Sequence, residues 1–227
     1  MAAQKKLNLF PIVVSGIVVL AVVVLVVVLV WMKGMANANA EGPDSDIVAA
    51  DTGAITFGSG DTTVDTYVDF MCPNCGAFEQ AYGAALQSTA EEGDLTLNIH
   101  PVAILDAASQ GTEFSTRAAN AMYCVAESNP DAALDFFNAM YANQPEENST
   151  GLTDDEIIQY ATDAGADGAA SCITDQTYAD YVTAQTKAMP AQTDGTHGTP
   201  TIAIDGEVID LSEVAARFEK ILSSDSE

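Results

Sequence analysis

The chain has 227 residues, with 33 Asp and Glu against seven Lys and Arg, for a formal charge of −26 at neutral pH. All the acids lie from Glu41 onward, where only Arg117, Lys187, Arg217 and Lys220 oppose them, so residues 41–227 carry −29. Such a field repels phosphate backbones and anionic headgroups and argues against nucleic-acid binding. The 48% hydrophobic content, set in periodic runs, argues equally against a disordered chain.

Residues 12–32 carry no charge and are mostly Val, Leu and Ile. As a helix they span about 31 Å, the hydrocarbon thickness of a bilayer. Lys5 and Lys6 precede the run, so the positive-inside bias places the N-terminus in the cytoplasm and the rest outside. The expectation is a cytoplasmic tip and single transmembrane helix over residues 1–35. The alternative is a cleaved signal sequence, with small-x-small sites at residues 36–40 and a secreted product. Either way the domain is exported. Residues 36–54 are small and polar and are expected to form a flexible linker.

An exported domain meets an oxidising compartment, where cysteines tend to pair. The four here, Cys72, Cys75, Cys124 and Cys172, allow three connectivities. Residues 64–70 alternate and are rich in β-branched and aromatic types, the pattern of a strand. Cys72-Pro73-Asn74-Cys75 follows, and residues 75–92 have helical periodicity. Pro73 suits the first turn of that helix, where its missing N–H costs nothing. Cys72 then sits at the positive end of the helix dipole, facing unpaired N–H groups, and both favour thiolate over thiol. Cys75, one turn on, is placed to resolve a mixed disulfide. A zinc site would need two more ligands, and the chain has only His100 and His197. A purely structural C-x-x-C disulfide stays open as an alternative.

Residues 95–100 form another expected strand, and residues 112–189 read as helical. Within that stretch Thr153 opens a capping box with Glu156, Cys124 falls in the first helix, and Cys172 follows a stop at Gly165. Met122, Tyr123 and Phe137 are expected in the core, with a peptide groove as the other use for them. Pairing of Cys124 with Cys172 would make a structural staple; a second redox centre is the alternative. Further on, Pro200 opens a strand, Asp205-Gly206 is a hairpin turn, and residues 211–222 form a closing helix. The order is strand–helix–strand, a long insert, then strand–strand–helix.

With residues 69–75 and the run Gly198-Thr199-Pro200-Thr201 in view, the sequence resembles the DsbA-like thiol–disulfide oxidoreductases of the thioredoxin superfamily, as exported by Gram-positive bacteria. The resemblance spans about residues 55–222. It implies a thioredoxin-like α/β fold with a helical insert, Cys72 as nucleophile, Cys75 as resolving thiol, and a cis Thr199–Pro200 bond facing the disulfide. It also implies unfolded exported proteins as substrates, a membrane quinone-linked oxidase as redox partner, and no bound cofactor or metal. An electron-fed reductase or isomerase is the alternative, as is a redox-inert binding domain on the same fold. Two departures stand out. Asn74 is neutral where strongly oxidising relatives often carry His. Thr66 also occupies the place, six residues before the first cysteine, where many thioredoxin-like proteins bury a carboxylate. Strand parity puts Asp65 and Asp69 on the opposite face, which leaves the proton route to Cys75 open.

Overall fold

The structure, a computed structural model, describes residues 40–223. The expected membrane span at residues 12–32 lies outside them, and no helix among the described residues is long and apolar enough to cross a membrane. Five strands form one mixed sheet: β1 (Ile55–Gly58), β2 (Thr62–Val68), β3 (Leu95–Pro101), β4 (Thr201–Ile204) and β5 (Glu207–Val208). Their order is β1-β3-β2-β4-β5, with β2 and β3 parallel and the other pairs antiparallel. β2 is central because Val64, Thr66 and Val68 bury one face completely while Asp65 and Tyr67 stay half-buried on the other. Asp205 and Gly206 both adopt positive φ, the backbone a two-residue primed turn demands, and join β4 to β5 as the sequence predicts.

The expected helix over residues 75–92 is present in three pieces: α1 (Pro73–Phe78), a π turn (Glu79–Gly83) and α2 (Ala84–Glu92). A Cβ at Gly83 would meet the Glu79 carboxylate, which would then have to shift. The insert supplies α3 (Phe114–Ser128), α4 (Ala133–Ala142), α5 (Asp154–Asp163), α6 (Ala170–Asp175) and α7 (Ala179–Ala188). α3 is buried from Phe114 to Ala126 and forms the insert's own core. Met122, Tyr123 and Phe137 are fully buried, so they are core residues and line no groove. The capping box at Thr153 and Glu156 is formed. The closing helix, α8 (Val214–Ser223), sets Phe218 edge-on against Phe78 and Tyr82.

Two differences from the sequence expectations concern the N-terminal side. β1 had no signal of its own; its four residues are defined by pairing with β3. The linker expected over residues 36–54 is docked from Pro43 onward. Val48 and Ala54 are buried, the Ser45 hydroxyl donates to the Ala126 carbonyl (2.6 Å), and the Tyr123 hydroxyl donates to that of Gly53 (2.8 Å). Ile47 and Val48 are apolar enough to seek the core, and their polar neighbours mask that in composition.

Cys124 on α3 and Cys172 on α6 form a disulfide with Cα atoms 5.7 Å apart, closing a loop of sequence separation 48. Loop-closure entropy assigns such a bridge about 4 kcal/mol at most. Replacing both cysteines with Ala is expected to lower Tm by up to about 8–16 °C, measured by thermal unfolding, while the alkylation rate of reduced Cys72 stays the same.

Candidate active site

The site begins where β2 ends. The Cys72 N–H donates to the Asp69 carbonyl (3.0 Å) in a tight turn, and Cys72 becomes the N-cap of α1 with Pro73 at its start. The Asn74 and Cys75 N–H groups, unpaired within the helix, face the Cys72 sulfur. The β2–β4 register pairs Tyr67 with Thr201, so the residues just before β4 arrive beside the end of β2. The Thr199–Pro200 bond is cis, and the Cys72 thiol donates to the Thr199 carbonyl (3.2 Å). The Thr201 hydroxyl holds the turn by donating to the Gly198 carbonyl (2.7 Å). The two sequence motifs, 127 residues apart, therefore meet at one sulfur.

Both cysteines are free thiols, Cys72 with 5% of its surface exposed and Cys75 with none. Their environments push them apart. A hydrogen bond from the Cys75 thiol, and then the Thr199 side chain and the helix N–H groups, lower Cys72 to about 6 against the opposing effect of burial. Burial and the neighbouring Cys72 sulfur push Cys75 well above the usual thiol range. The Thr199 hydroxyl, buried without a partner of ordinary hydrogen-bond geometry, lowers both sulfurs. Near neutral pH the arrangement is one thiolate held by one thiol. The rate of iodoacetamide capture by the reduced protein is expected to rise through a midpoint near pH 6, because the thiolate is the nucleophile and forms above that value. A midpoint near 9 would mean Cys72 gains nothing from the fold.

Asp69 corrects the parity argument. β2 ends at Val68, so alternation no longer governs the next residue, and Asp69 turns inward with no exposed surface. One carboxylate oxygen accepts from the Met71 N–H (2.9 Å) and the Ser115 hydroxyl (2.7 Å), the other from the Ile104 and Leu105 N–H groups (2.9 Å each). Burial raises this carboxyl to about 6, these donors hold it back, and the Cys72 charge adds to the rise. The buried acid missing at Thr66 is thus supplied three residues before Cys72. The signal in the sequence was Asp69 itself, directly beside Phe70.

The insert closes the other wall. The Gln144 amide donates to both the Phe70 carbonyl (3.0 Å) and the Cys72 carbonyl (2.9 Å). A Cβ at position 76 would overlap the Gln144 side-chain oxygen, so any larger residue there would have to displace that amide. The Tyr141 hydroxyl donates to the Asp69 carbonyl (3.3 Å), and burial followed by the charges of Cys75, Glu79, Asp69 and Cys72 holds it far above its ordinary value. Glu79, one turn beyond Cys75, lines a cleft with Gly76, Gln80, Tyr141 and Gln144, and burial raises its carboxyl to about 8. Sequence reasoning missed Gln144 and Tyr141, because nothing local links an insert residue to a motif about 70 positions earlier, and it missed Glu79, whose burial comes from that same wall.

The remaining expected site residues fall as follows. Pro73 and Asn74 are exposed beside the sulfurs, and His197 is exposed on its loop. Thr66 is buried, its hydroxyl donating to the Asn98 carbonyl (3.4 Å). Cys124 and Cys172 bond to each other within the insert, apart from Cys72 and Cys75. Among the described residues no group of three His, Cys, Asp or Glu could hold a metal ion.

Comparison with known proteins agrees with this geometry. The sequence profile of the family described as Thioredoxin matches residues 53–224. The reduced DsbA of Mycobacterium tuberculosis superposes with a TM-score of 0.65 and 29% identity, covering 77% of this chain and 93% of that one. The reduced DsbG of the same organism, a disulfide bond oxidoreductase, gives 0.63 and 27%, covering 82% and 92%. The thiol–disulfide oxidoreductase MdbA of Actinomyces oris gives 0.64 over 83% and 94%; at 22% identity it speaks for the fold alone. The serine/threonine-protein kinase PknE of Mycobacterium tuberculosis is 37% identical over 135 residues, which are 57% of this chain. The match takes in only 24% of that kinase, so the chain spans about a quarter of the length of the curated relatives it matches.

Proposed function

The chain belongs to the thioredoxin family as a DsbA-like thiol–disulfide oxidoreductase, and from that premise we propose that it introduces disulfides into unfolded proteins outside the cytoplasm. The observation that carries this reading is Cys72 capping the N-terminus of α1 against the Thr199 carbonyl of the cis-proline turn, a setting that lowers Cys72 to about 6 while Cys75 is raised. A stabilised Cys72 thiolate stabilises the reduced protein, which shifts its disulfide toward the oxidising side. A client thiolate attacks the Cys72 sulfur of the Cys72–Cys75 disulfide, forming a mixed disulfide and releasing Cys75 as thiolate. A second client thiolate attacks the client sulfur of that bond, leaving oxidised client and the Cys72 thiolate. Two electrons have then passed from client to enzyme, and a membrane quinone-linked oxidase would remove them.

Cys75 leaves as a thiolate that its surroundings disfavour, so it must take up a proton. Glu79, protonated at neutral pH and one turn away, is the acid on hand. The exposed Pro73–Asn74 face and the Thr199 backbone would receive the client chain as an added strand. An N-terminal membrane anchor would hold the domain in the plane of its redox partner.

The deciding measurement is the equilibrium reduction potential of the Cys72–Cys75 pair against glutathione, with Cys124 and Cys172 replaced as control. A value toward about −120 mV supports the oxidase, whereas one near about −270 mV assigns the chain to reduction instead. A pair that glutathione does not reduce at all marks a redox-inert domain.

A further inference from the structure

Beside the cis-proline loop lies a small pocket of about 220 Å³, lined by residues of that loop, of the preceding loop and of the segment leading into α8. This is below the ~300–1,000 Å³ of small-molecule sites and suits one side chain. Pro200, Ile209 and Leu211 give it an apolar wall, and Asp194 and Asp210 stand in its lining with no cation among them. Leu211, 46% exposed, is the sole large hydrophobic residue left exposed among the described residues. Each carboxylate is fixed by its own turn: Asp194 accepts from the Thr196 N–H and hydroxyl, Asp210 from those of Ser212. These hydrogen bonds hold both acids below the ordinary carboxylate range, so both are charged at neutral pH. The Thr193 hydroxyl donates to the second oxygen of Asp210 (3.2 Å), tying the two turns together.

The pocket adjoins the site described above through the cis-proline turn, since Pro200 lines it and the preceding Thr199 carbonyl touches Cys72. We propose that it is a subsite for a Lys or Arg side chain lying within a few residues of the client's reacting cysteine. The aliphatic stem covers Ile209 and Leu211 while the cationic head meets Asp194 and Asp210, the division of labour such side chains favour at partly apolar surfaces. The inference rests on the thiol-exchange reading under Proposed function. It adds that clients are selected by charge next to the cysteine.

The test is the rate at which the oxidised domain reacts with short peptides carrying one cysteine, flanked at successive positions by Lys, norleucine or Glu. At low salt the Lys peptide is expected to react at least about tenfold faster than the Glu peptide at one flanking position, with the difference shrinking as salt is raised. The double variant Asp194→Asn, Asp210→Asn keeps the turns, which Asn also forms, and should cut that preference to less than about threefold. Glu91→Gln with Glu92→Gln changes the net charge equally on the exposed end of α2 and should leave it intact. Reaction with dithiothreitol should be the same in all three proteins. Leu211→Ser should slow the norleucine peptide along with the Lys peptide. Equal rates for Lys and Glu peptides, or equal loss of preference in both double variants, would overturn the subsite. Reaction with dithiothreitol but no flanking preference overturns the subsite alone. Inertness toward every thiol overturns the exchange reading and the subsite with it.

Discussion

Cys75→Ser, loaded at Cys72 as a mixed disulfide with an aromatic thiol and mixed with a reduced unfolded client, is expected to release the small thiol and hold the client in a persistent covalent adduct. The wild-type protein should show the adduct only transiently, since Cys75 can expel the client by attacking Cys72. Cys72→Ser removes the attacked sulfur and should lower client oxidation by at least about a thousandfold. Cys75→Ala separates the resolving role from the electrostatic one. Ser still offers a hydroxyl donor to the Cys72 thiolate, whereas Ala removes the largest influence lowering it. The alkylation midpoint should therefore move up from about 6 further in Cys75→Ala than in Cys75→Ser. Non-reducing electrophoresis reads the adducts, and the absence of thiol-labile adducts in Cys75→Ser would defeat the scheme.

The second large effect is expected at Asp69. In Asp69→Asn the amide NH2 must face one of two pairs of donors, either Met71 N–H with the Ser115 hydroxyl or the Ile104 and Leu105 N–H groups. Two buried donors are then unpaired, at about 1–3 kcal/mol each, for a loss of about 2–6 kcal/mol. Denaturant unfolding measures it, and a loss under about 1 kcal/mol would mean that water or a side-chain shift repairs the site. The same change has a second signature. Asp69 lies above the ordinary carboxylate value, so the acid form is favoured by folding, and the stability it contributes at low pH is lost as pH rises through about 6. Asn abolishes that slope. It also removes a negative charge felt by Cys72, so the Cys72 midpoint should fall below about 6, opposite to the shift in Cys75→Ala.

Local chemistry was readable without the structure where it depends on neighbours in sequence. The C-x-x-C at a strand-to-helix junction, the Asp205-Gly206 turn and the Thr153 capping box each follow from a few adjacent residues, and each is present. What was missed depends on where an element stops or what arrives from afar. Parity placed Asp69 on the face opposite Thr66 because it assumed β2 continues, yet the turn that seats Cys72 begins there. The single helix over residues 75–92 became two around a π turn at Glu79–Gly83, a local change of pitch that apolar spacing does not report. Gln144 and Tyr141 meet the site from the insert, and Pro43 to Ala54 found partners on α3 that a composition reading sees only as small and polar.

The groups around Cys72 also differ in when they exist. Cys75 and the first turn of α1 are made with it, but Gln144 follows 72 residues later and Thr199 follows 127 residues later. A chain emerging N-terminus first therefore presents both thiols long before the wall that lowers Cys72 further and the amide that clamps its carbonyl. The folded-state reactivity of Cys72 therefore waits on residues made long after it, and an incompletely folded chain carries two thiols without the surroundings that set them apart.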